Sequence, residues 1–346
     1  MTARTSMVST RVLRNLVDCA ASAGVSPAGL LRGAGLDAEC LQALDARLPR
    51  AKLHQCVALA LDLTSDPAFG LHSIERLSSD ALDPLAGLVA HAASLQQALG
   101  SIQDFRRLLG DQASFRVYED SGKVFVKCAR LADEPPRVQR FMAEVCLGGL
   151  YLTIRRFRAT AHVDLVAFEY GAPDYQQEYA RVFEGRARFE QPFTGLCFDA
   201  ALLAAPAPQP DAELHQALRV FATRRIAQLT DKLPYSARVL DVLVWRRPPR
   251  DVSMEDTAKL LGLSARSLRR HLSAEGRSYN ELVHEALALV AKTYLLDERR
   301  TVMETAHELG FADNTSFHRA FKRWTGLTPC EYRRRQSAVH AQRALS

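Results

Sequence analysis

The sequence predicts an α+β N-terminal domain followed by an all-α domain built on two helix-turn-helix motifs. Three features carry that expectation. Helical and strand patterns mix through the first two hundred residues. A unit of sequence recurs at an offset of 48 residues near the C-terminus. The whole basic excess of the chain lies in its last third. The length of 346 residues fits two domains. Hydrophobic residues make up 47%, enough for a sizeable core. The division expected from composition is residues 1–203, a proline-rich linker with a connecting helix at 204–234, and residues 235–346.

Within the first domain the elements read in order. "TRVLRNLVDCAASAG" has helical periodicity. "SPAGLLRGAG" forms a second helix, with Ser26 as N-cap, Pro27 at the first helical position, and Gly33 or Gly35 near its end. Further helix follows over Pro49–Leu63 and Pro84–Leu109. "SFRVYEDSGKVFVKCA" alternates Phe115, Val117, Val124, Val126 and Cys128 about a Ser121-Gly122 turn, which is the pattern of a hairpin. "RVQRFMAEVCLGGLYLTIRRF" is a long helix in which Gly148-Gly149 permits close packing. "HVDLVAFEY" and "ARFEQPFTGLCFD" add strands. "AAPAPQPD", with Pro206, Pro208 and Pro210, reads as the linker, and a helix runs on from Asp211 to about Thr230.

This half carries little chemistry. It has no nucleophile elbow, phosphate-binding loop or dinucleotide fingerprint. His54 and Cys56 lack further partners at metal-ligand spacing, and His91 and His162 are isolated. The seven cysteines are scattered, odd in number and without a Cys-x-x-Cys pair, so neither a disulfide framework nor a metal cluster is expected. The N-terminus shows no apolar signal segment. The longest uncharged run, Pro84–Gln103, holds His91 and several polar residues and reads as a helix pair rather than a membrane span. A cytoplasmic protein without metal or cofactor is the expectation.

The repeat appears when "SMEDTAKLLGL" (Ser253–Leu263) is set above "TVMETAHELGF" (Thr301–Phe311). Each begins with a hydroxyl N-cap and has an acid three residues on, Asp256 or Glu304. Each has Thr-Ala at the same place, then Leu-Gly-apolar, with Gly262 and Gly310 as sharp turns. A helix, a glycine turn and a second helix make a helix-turn-helix. The second helices, "SARSLRRHLSAEG" and "ADNTSFHRAFKRWTG", align Leu268 with Phe317 and Leu272 with Phe321, the later copy having one extra residue at its start. Phe317, Phe321 and Trp324 share one face, while Thr315, His318, Arg319, Lys322 and Arg323 occupy the other.

From residue 235 onward, 19 Lys/Arg face 13 Asp/Glu, an excess of +6 that equals the net charge of the whole chain. Charge placed so unevenly points to a polyanion as partner. The spacer "SYNELVHEALALVAKTYLLDE" predicts a rod of about 18 helical residues, roughly 27 Å long. A rod of that length suits two recognition helices in successive major grooves, about 34 Å apart. Downstream, Thr328, Pro329 and Glu331 open a last helix.

The stretch "METAHELGFADNTSFHRAFKRWTGLTPCEYRR" closely resembles the signature of AraC/XylS-family transcription regulators, and the upstream copy resembles that family's first helix-turn-helix. Together they cover about residues 235–336. The order of elements before them resembles the arabinose-binding-type sensor domain of the branch containing an ornithine-utilisation regulator. Ala312 and Cys330 depart from the small polar residues usual there. The resemblance implies base reading by Arg266, Arg269 and Arg270 in the first recognition helix and by Thr315, His318 and Arg319 in the second, with Asn314 close by. It implies phosphate contacts by Lys322 and Arg323. It further implies an effector-sensing and dimerising N-terminal domain, an unnamed small-molecule effector, a homodimer, recruitment of RNA polymerase, and activation rather than catalysis. Two alternatives stay open on sequence: a DNA-alkylation repair protein with a methyl-accepting cysteine in a zinc site, for which Cys40 and Cys56 are too sparse, and an architectural DNA binder without a ligand.

Overall fold

A computed structural model describes residues 6–42, 46–76, 84–110, 115–128, 134–158, 162–231, 234–245, 249–295 and 301–335. The chain divides into two compact units, Met1–Ile226 and Ala227–Ser346. The α+β then all-α order expected from the sequence is what the structure has.

The first unit opens with strand β1 (Met7–Ser9) and helices α1 (Thr10–Ser22) and α2 (Pro27–Gly33). Strand β2 (Arg47–Pro49) follows and pairs antiparallel with β1. Helices α3 (Arg50–Leu63), α4 (Phe69–Glu75), α5 (Leu85–Ala90) and α6 (Leu95–Phe105) come next. Then come β3 (Phe115–Asp120), β4 (Lys123–Cys128), the long helix α7 (Pro136–Phe157), β5 (Val163–Ala167), α8 (Gln176–Val182), β6 (Ala187–Arg188), β7 (Gly195–Asp199) and α9 (Ala212–Asp231), whose last residues belong to the second unit. The main sheet has the order β3-β4-β7-β5-β6, antiparallel except for β5 beside β6. Ser26 caps α2 by accepting from the Gly29 amide, with Pro27 at its start, as its sequence predicts. Ser121 and Gly122 both have positive φ, 51° and 75°, so the β3–β4 hairpin turns with the hand that matches strand twist.

Two apolar clusters hold this unit. One joins α1, α2 and α3 to Phe69, Val138 and Phe141. The other lies between the sheet and α4–α7, and includes Val124, Val126, Leu147, Ile154, Phe168 and Phe198. Gly148 is needed at this contact: a Cβ there would sit 1.9 Å from Ile74 Cδ1, whereas Gly149 has open space. The proline-rich stretch is not loose. Ala205 and Ala207 are buried in the second cluster, the Leu95 amide donates to the Ala205 carbonyl at 3.1 Å, and Ser94 bridges Pro206. The short elements α4, α8 and the β1–β2 pair went unread in the sequence, because each is too short to show a period.

The second unit contains α10 (Tyr235–Trp245), α11 (Met254–Leu260), α12 (Ala265–Ala274), α13 (Tyr279–Leu295), α14 (Val302–Glu308) and α15 (Asn314–Thr325), with helical residues 329–335 after them. The spacer rod has 17 residues, about 25 Å at 1.5 Å per residue. Residues 296–298, which the sequence assigns to the same rod, lie outside the described residues. Helix α13 serves both motifs. Its Leu282 and Ala286 pack with Ala258, Leu268 and Leu272, while Leu287, Val290, Ala291 and Leu295 pack with Ala306, Leu309, Phe317 and Phe321.

Candidate nucleic-acid interface

The two repeats build the same local geometry from the same residues. Ser253 caps α11 by accepting from the Asp256 amide, and Thr301 caps α14 with a full capping box through Glu304. The repeated Thr-Ala pair has a physical reason. Thr257 and Thr305 are both fully buried, and each hydroxyl donates to the carbonyl one turn back, on Ser253 at 3.0 Å and Thr301 at 3.1 Å. Ala258 and Ala306 are small enough to lie beneath the recognition helices. The turns are matching Schellman motifs. Gly262, at φ +69°, donates to the Lys259 carbonyl while Leu263 donates to that of Ala258. Gly310, at φ +77°, donates to His307 while Phe311 donates to Ala306.

After each turn a new cap launches the second helix. Ser264 accepts from the Ser267 amide, and Asp313 accepts from the Ser316 amide at 2.7 Å. The Asp313 carboxyl is held below its ordinary range by the Ser316 hydroxyl and amide, with Arg319 nearby. A charged cap at a helix N-terminus also complements the helix dipole. The extra residue of the second copy is Ala312, which lies in the turn before this cap. Gly326, at φ +80°, ends α15 with its amide on the Lys322 carbonyl.

The sequence-predicted contact residues share one side of each recognition helix. Arg266, Arg269 and Arg270 are exposed on α12, opposite the buried Leu268 and Leu272. Asn314, Thr315, Arg319, Lys322 and Arg323 are exposed on α15, and His318 is half-buried against the edge of the Phe317 ring. None of these arginines or Lys322 forms a salt bridge among the described residues. The rings face the other way. Phe317 and Phe321 are fully buried with centroids 5.7 Å apart, and Trp324 is half-buried, 5.9 Å from Phe311 and 6.0 Å from His284. Two helices therefore present exposed guanidinium groups, whose planar forks fit guanine edges and phosphates, outward from a packed seam.

Several positioning residues could not be read from the repeat. Glu275 accepts from the Ser236 amide at 2.9 Å and the Tyr235 amide at 2.5 Å, which ties the end of α12 to the start of α10. Burial acts against the Glu275 charge, but those hydrogen bonds outweigh it and hold the carboxyl below its ordinary range. Tyr235 stacks on His271 with centroids 4.0 Å apart. Arg250 lies over the Phe311 ring at 4.9 Å and donates to the Gly310 carbonyl at 3.3 Å, bracing the second turn. These contacts join residues far apart in sequence, and no local pattern marks them.

The first unit holds a buried polar centre, none of whose residues is among the candidates expected from the sequence. Glu144, 1% exposed, sits on the inward stripe of α7. It accepts from the Tyr175 hydroxyl at 2.8 Å and from the Tyr179 hydroxyl, which also lies 3.1 Å from that of Tyr170. Arg140 stands over the Tyr170 ring. Burial raises the Glu144 carboxyl to about 7, against the hydroxyl hydrogen bonds and Arg140, which favour the charge. Gly70 makes the space, since a Cβ there would lie 2.0 Å from Glu144 Oε2. A carboxylate on an otherwise apolar helical stripe was the available signal.

With both units described, the class is a helix-turn-helix regulator carrying a separate α+β domain. The family described as the arabinose-binding domain of AraC transcription regulators, N-terminal, matches residues 24–207, and a helix-turn-helix domain family matches residues 257–335. The chain is 30% identical over 321 residues to the ornithine utilization regulator of Pseudomonas aeruginosa, covering 92% of this chain and 94% of that one. It is 23% identical over 271 residues to the regulator VirS of Mycobacterium tuberculosis, 77% of this chain and 78% of that one. The urease operon transcriptional activator of Escherichia coli is 33% identical over 91 residues, 26% of this chain and 31% of its own length. The chain belongs to the AraC family of transcription regulators. It is a DNA-binding regulator, not an enzyme, with an arabinose-binding-type N-terminal domain.

Proposed function

We propose that the chain reads its operator with the outward faces of α12 and α15, placed in successive major grooves of duplex DNA. Arg266, Arg269, Arg270, Thr315, His318 and Arg319 contact base edges, Asn314 lies beside them, and Lys322 and Arg323 hold phosphate. The observation that carries this reading is the duplicated motif: two capped helices, each with a buried apolar seam and exposed basic side chains, packed on one 17-residue helix. A basic rim on one helix is ordinary surface, whereas the same rim rebuilt at the same register has a shared task. The first unit senses a small-molecule effector and joins two copies in the cytoplasm, and the bound dimer recruits RNA polymerase as an activator. The arabinose-binding-type match and the ornithine utilization regulator support the sensing role.

Gel-shift titration of the full chain across a range of salt concentrations tests the DNA contacts. Phosphate contacts release counterions, so affinity falls steeply as salt rises. Arg270→Ala and Arg319→Ala each relax sequence preference, at a cost of about 1–3 kcal/mol on one half of the site. Lys322→Ala weakens all sequences about equally. Binding indifferent to salt, or three substitutions with the same uniform effect, would overturn the assignment.

A further inference from the structure

We propose that Cys128 and Cys146 form a redox-modification site in the first unit, a dithiol that a peroxide converts reversibly to an intramolecular disulfide. The sequence gives no hint of it, because the two residues are 18 positions apart and match no paired spacing. The fold brings them together. Cys128 is the last residue of β4 and Cys146 lies midway along α7, and their sulfurs are 3.6 Å apart. That is contact distance for two thiols. A disulfide needs about 2.05 Å, so closure requires the sulfurs to approach by roughly 1.5 Å.

The surroundings set the pair apart from the other cysteines. Cys19, Cys56 and Cys197 are buried, Cys40 is half-buried, and Cys330 is exposed. Among the described residues, only Cys128 and Cys146 share a sulfur–sulfur contact. Both are half-buried and pack against the sheet-side core. The two are chemically unequal. The two sulfurs share one hydrogen bond, and that bond lowers the titration of Cys146. The same bond raises that of Cys128, with desolvation and the nearby Glu169 adding to the rise. One sulfur is thus the better nucleophile and the other is placed to resolve it.

The chemistry balances with a hydroperoxide as the only co-reactant. The Cys146 thiolate attacks the peroxide oxygen, the O–O bond breaks, and the departing oxide takes a proton. Cys146 is then a sulfenic acid. Cys128 gives up its proton and attacks the Cys146 sulfur, the S–O bond breaks, and water leaves. Two thiols have lost two electrons to one peroxide. The product staples the end of β4 to the middle of α7. In a reducing cytoplasm the bond persists only while oxidant does.

The test uses the full chain. Purified protein is exposed to hydrogen peroxide, denatured, alkylated, digested and weighed. The expected result is a fall of two from seven free thiols, and one peptide pair joining Cys128 to Cys146, two hydrogens lighter than its parts. Dithiothreitol restores both thiols. The oxidised protein melts at a higher temperature than the reduced one, and Cys146→Ser abolishes both the cross-linked pair and that rise. Separate alkylation of Cys128 and Cys146 at a peroxide dose that has already oxidised Cys330 would overturn the proposal. So would a bond that joins any other pair. The mass map of the unmutated chain decides the matter even if the serine variant folds poorly.

Discussion

Replacing Phe321 by alanine tests how the recognition helix is held. Phe321 is fully buried and touches Phe317 on its own helix and Tyr332 on the helix after it, with centroids 5.7 and 5.6 Å away. Ala306, Leu309 and the C-terminal half of α13 complete its surroundings. Truncation removes most of a phenylalanine side chain from a site with neighbours on every side, and the walls are helices that cannot close over the gap. A cost of about 3–5 kcal/mol follows from the lost transfer energy and the cavity together. A domain of this size has a total stability of about 5–15 kcal/mol, so much of the second unit would be unfolded near physiological temperature. DNA affinity should fall in step with the folded fraction. The assay pairs thermal unfolding of the full-length variant with gel-shift titration, and Arg319→Ala serves as a control that alters DNA binding without altering melting. A Phe321→Ala protein that melts like the parent yet has lost DNA binding would refute the reasoning, since it would place the ring at the DNA instead of in the seam.

Two further perturbations probe the first unit. The Glu144 carboxyl stays protonated in the folded chain up to about pH 7, whereas in the unfolded chain it ionises near its ordinary 4.5. Folding therefore loses stability as pH rises from 4.5 to 7, and the full penalty, about 3 kcal/mol, applies above that window. Glu144→Gln should match the parent at low pH and gain on it through that window, as followed by denaturant unfolding at several pH values; a difference independent of pH would contradict the assignment. Gly148→Ala forces a methyl into Ile74 Cδ1 and should cost roughly 1–3 kcal/mol, with Ile74→Val recovering part of the loss in the double variant. Equal losses with and without Ile74→Val would show that the two positions do not meet.

The second unit was largely legible because its information is local. Caps, Thr-Ala pairs and glycine turns lie within a few residues of the groups they satisfy, and the repeat states each rule twice. The seam of Leu268, Leu272, Phe317 and Phe321 follows from helical spacing alone. The first unit was legible only in outline. The β3–β4 hairpin and α7 declared themselves by alternation and length. The Glu144 centre did not, because Tyr175 and Tyr179 reach it from a separate element some thirty residues on. Cys128 and Cys146 look scattered in the sequence for the same reason, since only the packing of β4 beside α7 brings them together. The proline-rich stretch was misleading in another way. Three prolines in five positions look like a spacer, yet Ala205 before them and Ala207 among them are small enough to be buried.

The central claim is that the exposed faces of α12 and α15 divide the work of base reading and phosphate holding. The most direct measurement is selection of bound sequences from a randomised duplex pool by the parent, Arg319→Ala and Lys322→Ala at fixed salt. The account predicts that Arg319→Ala loses preference at one or two adjacent positions and keeps the rest, while Lys322→Ala recovers the parent sequence at lower affinity. Identical preferences in all three proteins would contradict it, because Arg319 would then be holding the backbone and the bases would be read elsewhere.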